Sequence, residues 1–153
     1  RNDQIISRFF RKIGFISAEQ QLQWYQKYLI NENDYYWVIV ENDKTIGALS
    51  IYDISDTNAE IGRIMIGDIN ARGKGYGYKS LIMAMKIGFQ RLGLQAFQLN
   101  VHEKNIRALH IYERAGFNKV GLHPFDLEGN EYEMSIDLTT FECKNPMSKE
   151  ILF

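Results

Sequence analysis

The chain has 153 residues but a single cysteine, Cys143, and only two prolines, Pro124 and Pro146. One cysteine excludes an intrachain disulfide and any cysteine-rich metal site, and it fits a reducing cytoplasm. No repeat, low-complexity tract or Pro/Ser-rich linker interrupts the sequence, so residues 1–153 read as one domain. Long apolar runs are missing too. None approaches the roughly 18 residues that a spanning helix needs, and no signal-peptide pattern is present, so a cytoplasmic protein without membrane association is expected. Excess charge of either sign is also lacking: 18 Lys plus Arg stand against 19 acids, for a net charge of −1. That balance gives no general attraction to nucleic acid. His102, His110 and His123 are scattered and form no ligand pair, so no metal is expected. No Ser or Cys sits at a strand-to-helix elbow, which leaves nucleophilic triads unsupported.

What remains is an ordinary globular composition, 45% hydrophobic and 24% charged, whose patterning alternates between the two regular periods. Ser17 followed by Gln20 reads as a capping box that opens a helix to about Ile30, with Leu22, Tyr25 and Leu29 on its apolar face. "YYWVIVE" (Tyr35 to Glu41), "TIGALSIYDI" and Ala59 to Asp68 read as three strands of an antiparallel meander. Leu81, Met85, Gly88 and Leu92 then recur at helical spacing up to Gly93. "AFQLNV" is a strand reached by that helical crossover, hence parallel to the third. Asn105 caps a helix over Ile106 to Ala115, which Gly116 ends. "FNKVGL" and "EYEMSIDL" close the sheet around a polar loop, "HPFDLEGNEYE", whose acids Asp126, Glu128 and Glu131 could suit a cation but read better as solvated. The architecture expected is a mixed α/β sheet with an antiparallel front half.

Two segments carry chemistry. "NARGKGYGYKSLI" places Gly73, Gly75 and Gly77 at alternate positions between a strand and a helix, flanked by Arg72 and Lys74. The pattern matches neither the Walker loop nor the dinucleotide fingerprint. On spacing alone a flexible turn is the commoner reading; the strand before, the helix after and the two cations raise the alternative, a cradle of backbone N–H groups for phosphate at a helix N-terminus. The second segment is "NVHEKNIRALHIYERAGF", where Tyr112 taken alone reads as a packing residue. Glu60, in "AEIGR", taken alone reads as a solvated strand carboxylate.

In order, however, the two segments resemble the GNAT superfamily of acyl-CoA-dependent N-acetyltransferases. The family's phosphate loop, Gln/Arg-x-x-Gly-x-Gly/Ala, is Arg72-Gly73-Lys74-Gly75-Tyr76-Gly77 here. Its second signature is Asn105 through "IYERAGF", with Ile111 replacing the commoner Leu. The likeness covers about Trp37 to Leu138 and is nearest to the branch of ribosomal-protein N-terminal, polyamine and amino-sugar acetyltransferases. It implies a largely antiparallel sheet with a splayed parallel pair and helices on both faces. The family's first strand would lie before Arg1. It also implies acetyl-CoA as cosubstrate. The backbone from Arg72 to Gly77 (Gly73, Lys74, Gly75 and Tyr76 included) would hold the pyrophosphate. Ile64, Met65 and Ile66 would pair with the pantetheine arm, and Asn105 would hold it. Glu60 would serve as the base and Tyr112 as the acid that protonates the leaving thiolate. The substrate expected is a small-molecule amine, foremost an amino sugar or sugar nucleotide, with a polyamine or protein N-terminus as alternatives. A homodimer is compatible with this reading, and so is a non-catalytic CoA-binding sensor or scaffold.

Overall fold

A computed structural model describes residues 2, 7, 9, 14–126 and 129–146. Arg1 to Phe10, whose sequence is ambiguous and reads as helical only at its start, lies largely outside them. Helix α1 (Ala18–Leu29) opens on the capping box: Ser17 Oγ accepts from the Gln20 N–H at 3.1 Å, and Gln20 Oε1 accepts from the Ser17 N–H at 2.9 Å. Its apolar stripe is not the contact face, however. Leu22 and Leu29 are 56% and 61% exposed, and the helix rests instead through Trp24 and Tyr28 on Tyr36 of the sheet. The two rings, one helical turn apart and stacked with centroids 5.6 Å apart, cover more of that surface than the aliphatic side chains would.

Strands β1 (Tyr35–Glu41), β2 (Lys44–Ser55) and β3 (Asn58–Ile66) form the antiparallel meander. β3 ends earlier than the sequence suggests, because Gly67 and Asp68 both direct their N–H groups to the Ile46 carbonyl. Asp68 then caps a short 3-10 turn, Ile69–Ala71, by accepting from the Asn70 N–H at 2.8 Å. Helix α2 (Tyr76–Arg91) crosses to β4 (Ala96–His102), which lies parallel to β3, as a helical crossover requires. Helix α3 (Ile106–Ala115) is capped by Asn105 and ended by Gly116 in the left-handed region. β5 (Asn118–Asp126) and β6 (Gly129–Asp137) complete a six-stranded sheet of order β1-β2-β3-β4-β6-β5.

Two features of the closing segment differ from the sequence reading. The supposed polar loop is mostly strand, with Pro124 tolerated because β5 is an edge strand. A further helix, α4 (Leu138–Lys144), follows β6, with Asp137 Oδ1 accepting from the Thr140 N–H at 2.7 Å.

Helices cover both faces of the sheet. On one, Leu81, Met85 and Phe89 of α2 pack with Phe97, Leu99, Met134 and Phe141. Trp37 joins that core, whereas its neighbour Tyr36 meets α1 on the opposite face, as strand alternation dictates. The parallel pair is short. Only Asn58–Glu60 register with Ala96–Gln98, and beyond them β3 and β4 part.

Candidate active site

The glycine loop lies at the mouth of that gap. Gly73 and Gly75 have φ of +79° and +82°, a region that costs a side-chain-bearing residue about 1–2 kcal/mol, and a Cβ on either would meet nothing within 4 Å. Alternating left-handed residues turn successive N–H groups into one concavity, and Gly75 is the N-cap of α2. Gly73 to Tyr78 make no backbone N–H bond among the described residues; Lys79 is the first to do so, to the Gly75 carbonyl at 3.0 Å. Gly77 is buried, and a Cβ there would lie 3.5 Å from Ile111 Cδ1, which draws α3 close beside the loop. Arg72 differs from expectation. Its own N–H goes to the Ile69 carbonyl, and its guanidinium bonds the Ile66 and Gly67 carbonyls at 3.0 and 3.1 Å. The arginine thus ties the loop to the end of β3, and the neighbouring Lys74 is exposed.

From the loop a cavity of about 1690 Å³ runs through the gap. Ile64, Met65 and Ile66 line it on the stretch of β3 that has parted from β4, so their backbone edge is open there. Asn105 lines the other wall; its Oδ1 accepts from the Ala108 N–H at 3.3 Å, which caps α3 and leaves the amide nitrogen for another partner. Tyr112 also lines it while being 8% exposed, its ring edge-on to Phe117 at 5.9 Å. Burial pushes its phenol up to about 12, so the hydroxyl keeps its proton throughout the neutral range. Packing and lining the cavity are thus both true of this side chain.

Glu60 is half-buried at the far end of the gap, not a solvated strand residue. Tyr52, its cross-strand partner on β2, donates a hydrogen bond to Glu60 Oε1 at 2.5 Å. Burial first, then that hydrogen bond and the Glu60 charge, push the Tyr52 phenol well above its ordinary value, so it remains a donor. Arg63 lies over the Tyr52 ring, 4.1 Å from the centroid, and pairs with Asp34 at 2.7 Å. Trp24 and Tyr36 extend this wall toward α1. Sequence reasoning missed Tyr52 although a signal was present, since Tyr52 and Glu60 stand equally far on either side of the Asp56 turn. The reading of Glu131 as solvated is also corrected: it is 3% exposed on β6, opposite His102, and lines the cavity. Glu128 lies outside the described residues.

A sequence model of the acetyltransferase (GNAT) domain matches residues 1–118. The chain belongs to this family. Family members use acetyl-CoA, and the open N–H concavity suits a pyrophosphate. Relatives include the spermidine N(1)-acetyltransferase of Escherichia coli K12, 23% identical, with 92% of this chain and 76% of that one covered. An uncharacterized protein of Methanocaldococcus jannaschii, MJ1062, is 29% identical over 78% of this chain, which spans only 25% of that protein. Among solved structures, the spermidine N-acetyltransferase of Vibrio cholerae in complex with CoA and spermine superposes with a TM-score of 0.82. It is 23% identical, with 92% of this chain and 86% of that one covered, a likeness of fold. Among the described residues, no helix is long and apolar enough to cross a membrane.

Proposed function

We propose that residues 1–153 act as one N-acetyltransferase domain that moves acetyl from acetyl-CoA directly to a primary amine of a polyamine-like cation. The observation that carries this reading is the segregation of the cavity. Near the loop lie the N–H concavity and Arg107 and Arg114 of α3; near Glu60 lie the rings of Trp24 and Tyr36. The first suits a polyanion, and the second a cation.

The chemistry has a stated cost. An alkyl amine of pKa ~10.4 is neutral about once in 2,500 molecules at pH 7, a penalty of roughly 4.6 kcal/mol. Glu60 takes that proton, directly or through one water, and the freed amine attacks the thioester carbonyl. An N–H on the open edge of Ile64–Ile66 faces the developing oxyanion. Tyr112 gives a proton to the leaving thiolate, and its phenolate recovers one from the acetylated nitrogen, directly or through water. Cys143 is exposed on α4 and takes no part.

Sequence alone ranked an amino sugar or sugar nucleotide first. The aromatic wall beside Glu60, and two relatives named for spermidine, favour the polyamine. A desolvated cation–π contact contributes about 2 kcal/mol or more, so spermidine should exceed a glucosamine-type amino sugar and an N-terminal peptide by at least about tenfold in kcat/KM. Release of free CoA thiol, followed with each amine in turn, measures this. Equal rates for all three, or a preference for the sugar, would overturn the polyamine assignment.

A further inference from the structure

The side chains behind Glu60 form a chain that the transfer chemistry does not by itself require. Asp34, 7% exposed in its side chain, pairs with Arg63 at 2.7 Å. The Arg63 guanidinium covers the Tyr52 ring at 4.1 Å, and the Tyr52 hydroxyl donates to Glu60 at 2.5 Å. Two backbone features lie along this chain. Arg63 has φ of +52°, a strained conformation for a non-glycine residue, and the β2–β3 register shifts on this stretch of the hairpin. Gly62, with no positive φ to explain it, leaves space: a Cβ there would lie 3.0 Å from the Tyr52 hydroxyl.

We propose that Tyr52 is a positioning residue for the reaction, holding the Glu60 carboxylate toward the incoming ammonium, with Arg63 and Asp34 fixing the Tyr52 ring from behind. The inference rests on Glu60 as the base. A carboxylate side chain has three rotatable bonds, and one oriented acceptor must meet the substrate proton at hydrogen-bond distance. The Tyr52 donor occupies one oxygen and fixes the plane of the group, leaving the second oxygen for the amine or its bridging water. In this role Tyr52 acts through Glu60. The charged groups acting on it are Glu60, Arg63 and Asp53.

The test is steady-state kinetics across pH for Tyr52→Phe, Gly62→Ala and Glu60→Gln, alone and as the Tyr52→Phe/Glu60→Gln pair, with spermidine and acetyl-CoA. Tyr52→Phe keeps the ring under Arg63; Gly62→Ala keeps the hydroxyl but displaces it. Both should lower kcat at neutral pH by about 10-fold to 100-fold with acetyl-CoA KM unchanged, because deprotonation alone is impaired. The defect should shrink as pH rises toward the amine's own pKa, and the double variant should be no slower than Glu60→Gln. A Glu60→Gln enzyme with the parent's rate and profile would sink the base assignment and this inference with it. A defective Glu60→Gln beside a Tyr52→Phe that is parental, uniformly slowed at every pH, or additive with it would overturn the positioning role alone.

Discussion

Gly88 of α2 lies so close to Phe97 of β4 that a Cβ on the glycine would come within 2.3 Å of the ring. Phe97 is fully buried and packs edge-on against Phe89, so it has no room to yield. The absent side chain lets α2 approach β4 closely at this point.

The first prediction follows from that contact. A helix interior normally gains up to about 1 kcal/mol from Gly→Ala. Here Gly88→Ala should instead destabilise by about 1–3 kcal/mol, the cost of overpacking a close-packed core. Urea denaturation measures it, and an unchanged or higher midpoint would contradict the packing described.

The second concerns the loop. Gly75→Glu places a carboxylate in the open space before the N–H concavity, where no protein atom lies within 4 Å of the new Cβ. The fold should persist with a penalty of about 1–2 kcal/mol for the left-handed conformation. Acetyl-CoA binding, read by calorimetry, should be lost. Near-parental affinity in the folded variant would remove the phosphate role from this loop.

Tyr112→Phe keeps the ring against Phe117 and deletes only the hydroxyl. A CoA thiolate with pKa near ~8.5 leaves tolerably unaided, so kcat should fall by about 10²-fold rather than vanish. Acetyl-CoA affinity should stay level, because the hydroxyl contributes chiefly in the transition state. A kcat within about threefold of the parent would reject the acid role.

The same residue makes a stability prediction with a definite sign. The Tyr112 phenol, at about 12 in the folded chain, lies above its ordinary value of 10.0. Below pH ~10 both states hold the proton and nothing is lost. As pH rises from about 10 to about 12 the unfolded chain ionises first, so stability falls, by about 1.4 kcal/mol at pH ~11. Tyr112→Phe lacks this term. Its stability relative to the parent should therefore improve by about that amount between pH ~9 and pH ~11 in urea titrations. A difference independent of pH would mean that the phenol is not buried as described.

Much of this was legible in the sequence for local reasons. The Ser17 and Asn105 caps, the Gly116 stop, the meander and the alternating glycines each write themselves into a few neighbouring residues. What was hidden depended on tertiary partners. The face that α1 presents follows from Tyr36, twelve residues after Trp24, not from the helix's own stripe. The burial of Glu131 depends on β4 lying beside β6, and the hold on Glu60 on Tyr52 across a hairpin whose register shifts. The α4 helix was missed because Asp137 reads equally as the end of a strand and as a cap.

The central claim is direct transfer from acetyl-CoA to an amine. Acetyl-CoA labelled in the acetyl group, incubated with the protein and spermidine, should yield labelled N-acetylspermidine and free CoA in equal amounts. With the amine omitted, the quenched protein should carry no label. Acetyl-CoA bound without turnover over polyamines, amino sugars and peptides, or label left on the protein, would contradict it.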